Sequence, residues 1–232
     1  MTYAFPPAPV ISVPVAGVDA QFPVRRIYCV GRNYEAHARE MGHDPNREPP
    51  FFFAKPADAI VVVPEGEIGE FRYPAQSEDV HHEIELVVAL NGGGVNIDAE
   101  RALDHVFGYA VGLDMTRRDL QAEAKKLGRP WDTGKGFDGS APIGPIHRVE
   151  EIGHPTQGAV WLDIDGKQAQ RGDLHELIWS VAETIAYLSR FFELKAGDLI
   201  FSGTPSGVGP VKHDQLLEGG VEGVGQIKLY VR

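Results

Sequence analysis

The sequence predicts an α+β fold in which strands outnumber helices. Short apolar runs rich in Val, Ile and Phe recur along the chain and are bounded by Gly and Pro, a pattern typical of strands. Helical periodicity is confined to a few segments, and strands and helices do not alternate in a regular βαβ order. The 232 residues are enough for one sizeable hydrophobic core. These observations favour α+β over a doubly wound parallel sheet.

The first half of the chain is predicted to contain mainly strands. Residues 1–22 are rich in Pro, Val and Ala and are expected to form an extended lead-in segment. RIYCVG predicts a strand, and NYEAHAREMG predicts a short helix that Asn33 caps and Gly42 ends. Strands are then expected at FFFAKP, AIVVVP and HHEIELVVAL, followed by a helix that begins near Asp98.

The second half is predicted to contain two longer helices. MTRRDLQAEAKKLG predicts one over 115–128, which Gly128 ends. The stronger helix is expected over 173–192, where Asp173 and Glu176 make a capping-box pattern and apolar residues recur at helical spacing. Strands are expected at the other apolar runs, namely VFGYAVGLD, a hairpin AVWLDIDGKQAQRG that turns at Asp165 and Gly166, AGDLIFSGTP and QIKLYV.

Charge and composition indicate a cytoplasmic protein. The formal net charge of −11 argues against nucleic acid and anionic membrane as partners. No apolar run approaches the roughly 20 residues of a membrane span, and the N-terminus lacks the pattern of a signal peptide. The single cysteine, Cys29, excludes an internal disulfide and fits a reducing compartment.

One predicted strand carries two carboxylates that would face the same way. Side chains alternate along HHEIELVVAL, so Glu83 and Glu85 share a face, about 7 Å apart at their Cα atoms. In a dry environment the two charges repel unless a cation or a proton lies between them. Asp114 offers a third carboxylate, and such oxygen ligands suit Mg²⁺, Mn²⁺ or Ca²⁺. The alternatives are a solvated sheet edge for the glutamates and a helix N-cap for Asp114.

Cationic residues follow Asp114 closely in the sequence. Arg117 and Arg118 fall in the first turn of the predicted 115–128 helix, where positive charge is unfavourable unless an anion is near. Lys135 is expected in a loop whose flanking glycines permit close approach. Each residue alone could be a solvated surface charge, but together they favour an anionic ligand.

Two further stretches carry polar groups suited to catalysis or binding. His37 and Glu40 are three residues apart, so a helix would place them on one face, where Glu40 could orient His37 as a base. The alternative is an incidental surface pair. In FSGTPSGVGP, the Thr204 hydroxyl and the backbone amides could bind a carboxylate, or the stretch is a plain turn without the P-loop pattern.

Taken together, these residues fall in ordered motifs that resemble the fumarylacetoacetate hydrolase family. The motifs are GRNYxxHxxEM, FxKP, HHExEL, GYAxxLDMTxRDxQ, KxxGxPWxxxKxFD and SGTPxGVGP, and they follow in this order after Arg26. Within the family, LDMTRRDLQAEAKKLGRPWDTGKGFD is most similar to acylpyruvate hydrolases, in particular those that act on fumarylpyruvate in gentisate degradation. The resemblance implies a mixed β-sandwich roll with few peripheral helices, assembled as a homodimer, with residues 1–22 ahead of a catalytic domain over 23–232.

The resemblance also implies a role for each candidate residue. The implied ligands of an Mg²⁺ or Mn²⁺ cofactor are Glu83, Glu85 and Asp114. The implied catalytic residues are His37 and Glu40, which activate water from a lid helix, and the active-site lysine Lys135. The residues implied to contact a small anionic oxo-acid substrate are Arg32, Arg118, Gln121 and Thr204.

The implied reaction is hydrolysis of a C–C bond in an acylpyruvate, which converts fumarylpyruvate to fumarate and pyruvate. A cation chelated by the α-keto acid would stabilise the pyruvate enolate, while His37 and Glu40 deprotonate the attacking water. Lys135 would stabilise the developing negative charge. The alternatives are decarboxylation of oxaloacetate, which needs no attacking water, an isomerase or hydratase of the same family, and a non-catalytic metal-binding protein.

Overall fold

Strands account for most of the regular structure in the computed structural model, which describes residues 2–35 and 48–232. The predicted α+β class is confirmed, and none of the helices described is long and apolar enough to cross a membrane. Numbered in chain order, the described α-helices are α1 (Arg118–Leu127), α2 (Asp132–Lys135), α3 (Val149–Ile152) and α4 (Val181–Leu188). Short 3₁₀ helices cover Ala57–Ala59, Ala99–His105 and Leu174–Glu176.

The largest sheet curls into a roll. Its strands, also numbered in chain order, follow one another in space as β4 (Phe51–Lys55), β3 (Arg26–Gly31), β15 (Asp198–Phe201), β8 (Ile84–Leu90), β9 (Val106–Leu113), β11 (Ala141–Ile143) and β5 (Ile60–Val62). A short strand, β12 (His147–Arg148), also pairs with β9. The edge strands β4 and β5 are joined by residues 56–59 alone, so the two edges must approach each other.

A second sheet packs on one face of the roll. Its strands lie in the order β14 (Lys167–Asp173), β13 (Ala159–Ile164), β17 (Leu216–Val221), β18 (Gly225–Val231) and β6 (Gly69–Phe71). Ile84 and Leu86 of β8 contribute to the hydrophobic core shared by the two sheets. The opposite face of β8, which carries Val87 and Ala89, contributes to a second hydrophobic core. Every residue of β8 is therefore buried.

The second core lies under a hairpin near the N-terminus. Strands β1 (Ser12–Pro14) and β2 (Gln21–Pro23) form this hairpin, and its Val13 and Phe22 pack in one cluster with Val87 and Ala89 of β8. Part of the predicted lead-in segment is therefore paired as strands, while the division of the chain at residue 22 remains a prediction. The fourth described sheet is small and consists of β10 (Thr116–Arg117), β7 (Val80–His82) and β16 (Gly209–Pro210).

One predicted helix begins later than its sequence pattern indicates, and another begins where it was predicted but is of the 3₁₀ type. The 115–128 prediction was wrong at its start, because Thr116 and Arg117 pair with β7 and the helix begins at Arg118. Its end is as predicted, since Gly128 adopts the left-handed conformation (φ 61°) that glycine tolerates. The helix expected near Asp98 is a 3₁₀ helix over Ala99–His105.

The helix predicted over 173–192 forms only in part, as α4 over Val181–Leu188. The capping box of Asp173 and Glu176 is present, but it starts only a single 3₁₀ turn. Leu177 then forms a bridge with Tyr34, and the Ile178 N–H donates to the carbonyl oxygen of Asn33. These tertiary pairings hold the backbone extended, and helix α4 begins only after a second capping box.

Candidate active site

The predicted strand HHEIELVVAL is divided at Glu83. Strand β7 ends at His82 and belongs to the small sheet, whereas β8 begins at Ile84 and belongs to the large one. Side chains hold the junction on both sides of Ile84: its N–H donates to Gln170 Oε1 (3.1 Å), and Thr204 Oγ1 donates to its carbonyl oxygen (2.7 Å). The prediction of one continuous strand was therefore wrong, because the chain passes between two sheets at this point.

Glu83, Glu85 and Asp114 converge at this junction. One carboxylate oxygen from each residue lies within 4.8 Å of the other two, and all three residues are buried. The Asp114 N–H donates to the carbonyl oxygen of Glu83 (2.9 Å), which ties the end of β9 to the junction. Burial excludes a solvated sheet edge, and the late start of α1 at Arg118 excludes Asp114 as its N-cap.

Lys135 and Arg118 are ion-pair partners of these carboxylates. Lys135, predicted in a loop, ends the one-turn helix α2, and its Nζ donates to Asp114 Oδ2 (2.6 Å) and Glu83 Oε2 (2.8 Å). Arg118 Nη2 donates to Glu83 Oε1 (2.5 Å). Neither residue is a solvated surface charge. Arg117 instead places its guanidinium over the ring of Phe137, 4.5 Å from the ring centroid.

Lys55 is a third cation at the site, and sequence reasoning assigned it no role. Its fully buried Nζ lies 2.8 Å from Asp114 Oδ1 and donates to the carbonyl oxygens of Met115 (3.2 Å) and Lys135. The contact with Asp114 is an ion pair without hydrogen-bond alignment, since Oδ1 has no hydrogen-bond partner among the residues described. The available signal was the FxKP motif, which ends an apolar strand on a lysine.

The electrostatic environment of the three clustered carboxylates suits a divalent cation. Burial, together with the negative charges of Asp114 and Glu83, raises the pKa of Glu85 well above its usual value. Burial opposes the charged form of Lys135, but the carboxylates of Asp114 and Glu83 outweigh this effect and raise the pKa of the lysine. Three buried carboxylates, one with an oxygen that accepts no hydrogen bond from the residues described, provide the hard oxygen donors that Mg²⁺ and Mn²⁺ prefer.

The two glutamates line a pocket with an empty volume of about 420 Å³, part of which is open solvent. The pocket also contains Lys135 and all the residues expected to contact a substrate, which are Arg32, Arg118, Gln121 and Thr204. Arg118 Nη1 donates to the side-chain oxygen of Gln121 (2.7 Å), so these two residues form a polar pair beside Glu83. The fold brings these positions together, while their individual roles remain predictions.

An aromatic wall that the sequence did not reveal lines the same pocket. It consists of Phe51, Phe53 and Trp131, and the rings of Phe51 and Trp131 meet edge to face, with centroids 5.5 Å apart. The Arg32 guanidinium lies 4.8 Å from the Phe51 centroid, and Lys125 Nζ lies 5.1 Å from a Trp131 ring. Arg32 has a φ of 56°, an uncommon value for a non-glycine residue and one often found at functional sites.

The expected water-activating pair, His37 and Glu40, lies outside the described residues. Gly31 and Arg32, which precede the pair in the sequence, line the pocket. Nearby, the Asn33 side chain donates to the carbonyl oxygens of Trp179 (2.9 Å) and Ser202 (2.8 Å). The chain is therefore anchored at the pocket wall just before the sequence that contains the pair.

The fold and the site define a class of protein: a β-roll with a buried three-carboxylate centre beside a cationic pocket. The family described as fumarylacetoacetate (FAA) hydrolase C-terminal matches residues 26–232. The chain belongs to this family, and the resemblance seen in the motifs is confirmed.

Solved and curated relatives share most of the chain. The crystal structure of fumarylpyruvate hydrolase from Pseudomonas aeruginosa in complex with Mn²⁺ and pyruvate is 56% identical, with a TM-score of 0.98 and coverage of 99% of both chains. The mitochondrial oxaloacetate decarboxylase of Dictyostelium discoideum is 40% identical, over 86% of this chain and 90% of that protein. The mitochondrial oxaloacetate tautomerase of Mus musculus is also 40% identical, over 90% and 92%.

Proposed function

We propose that this protein is a metal-dependent hydrolase that cleaves the C–C bond of an acylpyruvate, with fumarylpyruvate as the preferred substrate and fumarate and pyruvate as products. The observation that carries the proposal is the meeting of three buried carboxylates with Arg118 and Lys135 at one pocket. The comparison that supports it is the 56% identity to a fumarylpyruvate hydrolase determined with Mn²⁺ and pyruvate.

Glu83, Glu85 and Asp114 would hold Mg²⁺ or Mn²⁺ in this proposal. A bound dication would supply Lewis-acid stabilisation of negative charge on the oxygens of an α-keto acid. The buried carboxylates are suited to this role because their mutual repulsion falls when a dication lies among them.

The pocket residues bind and orient the substrate. Arg118 and Lys135 provide positive charge for the carboxylate and keto oxygens of the pyruvate half, and Gln121 holds Arg118 in place through the bond to its guanidinium. The apolar faces of Phe51 and Trp131 cover the acyl half and exclude water other than the attacking molecule.

Proton transfer is assigned to His37 and Glu40 on the sequence motif alone. His37 takes a proton from the attacking water, and Glu40 stabilises the imidazolium that forms. Addition of hydroxide to the acyl carbonyl breaks the bond to the methylene carbon, which receives a proton and becomes the methyl group of pyruvate. One water molecule is consumed, and the acyl half leaves as a carboxylate.

A substrate panel tests the proposal. The purified protein, with Mg²⁺ or Mn²⁺, is incubated with fumarylpyruvate, acetylpyruvate, fumarylacetoacetate and oxaloacetate. Pyruvate release from the acylpyruvates and from oxaloacetate is measured by a coupled dehydrogenase assay, and cleavage of fumarylacetoacetate, which yields acetoacetate instead of pyruvate, is followed by the loss of its diketone absorbance. We expect the highest kcat/KM for fumarylpyruvate and no activity in EDTA. Turnover of oxaloacetate without release of pyruvate from any acylpyruvate would refute the assignment.

Action on oxaloacetate is the second candidate. The relatives named oxaloacetate decarboxylase and oxaloacetate tautomerase are each 40% identical to this chain, which is the observation that favours it. Neither reaction requires an attacking water molecule. Substitution of His37 should therefore greatly lower acylpyruvate hydrolysis but leave much of an oxaloacetate decarboxylase activity, and this difference separates those two functions. Tautomerisation moves a proton from carbon to oxygen and would itself need a base, so it is recognised by its product, the enol of oxaloacetate.

We also propose that the protein is a cytoplasmic homodimer. The family resemblance supports the dimer, and the cysteine and charge content support the compartment. Light scattering coupled to size-exclusion chromatography measures the molar mass of the assembly directly. A monomeric mass would contradict the proposed homodimer.

A further inference from the structure

Gln170, Thr204 and Ile84 form a closed ring of hydrogen bonds at the strand junction. The Ile84 N–H donates to Gln170 Oε1 (3.1 Å), Gln170 Nε2 donates to Thr204 Oγ1 (2.8 Å), and Thr204 Oγ1 donates to the Ile84 carbonyl oxygen (2.7 Å). Ile84 separates Glu83 from Glu85 in the sequence. The ring therefore holds the backbone between two of the proposed metal ligands.

The ring is fully satisfied and buried. Gln170 is completely buried on β14, and it also bonds His82 Nδ1 (2.8 Å) and the carbonyl oxygen of Pro205 (2.9 Å). Each of its two polar atoms thus has two partners, which fixes the orientation of the amide. A network in which every member is paired is rigid, and losing one member leaves buried polar groups unpaired.

The bonding capacity of Thr204 limits what its side chain can do for a ligand. A hydroxyl has a single hydrogen, and that of Thr204 is donated to the Ile84 carbonyl oxygen. The side chain can therefore donate to a bound carboxylate only by giving up the bond that holds the strand junction. Thr204 lines the pocket, but its hydroxyl is used to hold the protein backbone.

We propose that Gln170 and the hydroxyl of Thr204 are positioning residues for the metal centre: they hold Ile84 so that Glu83 and Glu85 converge with Asp114. This inference deepens the proposed function and rests on it for the identity of the ligand as a divalent metal. It assigns a role to Gln170. It also assigns the Thr204 hydroxyl to positioning the metal-binding glutamates, whereas the sequence motifs implied that Thr204 contacts the substrate.

The test compares Mn²⁺ affinity with oxo-acid affinity in matched variants. Thr204→Val removes the hydroxyl at nearly constant volume, Thr204→Ser retains it, and Gln170→Met removes all the bonds of the amide. Thr184→Val is the control. Thr184 lies on helix α4 and is also buried, and its hydroxyl donates to the backbone carbonyl of Trp179, which precedes the helix. Mn²⁺ binding is measured by calorimetry without any oxo acid, and oxalate binding is then measured at saturating Mn²⁺.

We expect Thr204→Val and Gln170→Met to weaken Mn²⁺ binding by about 10- to 100-fold, the range seen for outer-shell partners of metal ligands. Thr204→Ser and Thr184→Val should bind Mn²⁺ as the wild type does, and metal-saturated Thr204→Val should bind oxalate as the wild type does. Wild-type Mn²⁺ affinity in either Thr204→Val or Gln170→Met overturns the inference, as does an equal loss in Thr184→Val. If Thr204→Val fails to fold, Gln170→Met decides the question.

Failure of the proposed function is distinguishable from failure of this inference. A wild-type protein that binds Mn²⁺ but does not hydrolyse acylpyruvates refutes the hydrolase assignment, whereas the role of the ring is decided by Mn²⁺ affinity alone.

Discussion

Lys55 Nζ lies 2.8 Å from Asp114 Oδ1, although three strands separate β4, which ends at Lys55, from β9, which precedes Asp114. The curl of the large sheet brings the two residues together, because its edge strands β4 and β5 are joined by residues 56–59 alone. Through this contact, Lys55 joins Lys135 and Arg118 at the site, so three positively charged side chains lie beside the three carboxylates.

Replacing Lys55 tests this charge balance. Lys55→Met should lower the free energy of unfolding by about 3 kcal/mol, because it leaves a buried Asp114 oxygen without its cation. Urea denaturation in EDTA measures the effect. The control is Lys228→Met, which breaks a more exposed pair with Glu218 (2.7 Å) and should cost at most about 1 kcal/mol. Equal losses in the free energy of unfolding for the two substitutions would show that the buried pair stabilises the fold no more than the exposed pair does.

Removing one proposed metal ligand should separate folding from activity. Glu85→Gln should abolish turnover and weaken Mn²⁺ binding by more than about 100-fold, beyond the range of outer-shell changes. In EDTA the variant should be at least as stable as the wild type at neutral pH. Burial and neighbouring carboxylates raise the pKa of Glu85, so its ionised form costs stability above the unfolded pKa and a neutral amide avoids that cost.

Calorimetry with Mn²⁺ and urea denaturation check both parts of the Glu85 prediction. Glu67→Gln, at an exposed position, serves as the matched control. Metal-dependent hydrolysis that persists in Glu85→Gln would remove Glu85 from the metal centre.

His37 should be needed for hydrolysis and dispensable for binding. His37→Ala should lower kcat for the acylpyruvate by about 10²- to 10⁴-fold, the usual contribution of a general base. It should still bind Mn²⁺ and oxalate as the wild type does. Steady-state kinetics and calorimetry give the two readings, with His213→Ala, at an exposed position, as control. A wild-type kcat in His37→Ala would exclude His37 from the mechanism.

The start of helix α4 can be tested independently of the site. Ser180 Oγ accepts a hydrogen bond from the Glu183 N–H (3.3 Å), and the Glu183 side chain accepts one from the Ser180 N–H (3.1 Å). Ser180→Ala should therefore lower the free energy of unfolding by about 1 kcal/mol without changing Mn²⁺ affinity. Ser12→Ala, which removes a hydroxyl that donates to an exposed Gln21, should stay within about 0.5 kcal/mol. No difference between the two variants would argue against Ser180 as the N-cap of α4.

The errors in predicting the secondary structure have a common physical cause. Helical periodicity over 173–192 is real, yet the bridge between Leu177 and Tyr34 and the bond from Ile178 to Asn33 hold the middle of that segment extended. Similarly, Thr116 and Arg117 pair with β7 and so delay α1. In both cases, hydrogen bonds to distant parts of the chain outweigh a local preference worth a fraction of a kcal/mol per residue.

The residues missed at the site act through contacts that no local pattern encodes. Gln170 lies on a strand of the second sheet and reaches the junction between Glu83 and Glu85 only because the two sheets pack together. Lys55 ends a strand at one edge of the roll, far in sequence from Asp114. A single polar residue at the end of a strand does not show whether it faces solvent or a distant charge.

By itself, the sequence determined the α+β class, most of the strands and the family, because these depend on local apolar patterns and on ordered motifs. It also supplied Glu83, Glu85 and Asp114 as candidate ligands. Only the tertiary structure decided that the three carboxylates meet in a buried place and that Lys55, Lys135 and Arg118 balance their charge. The physical reason is that burial and ion pairing are set by the curl of the large sheet and by the packing of the second sheet against it, which join residues distant in the chain.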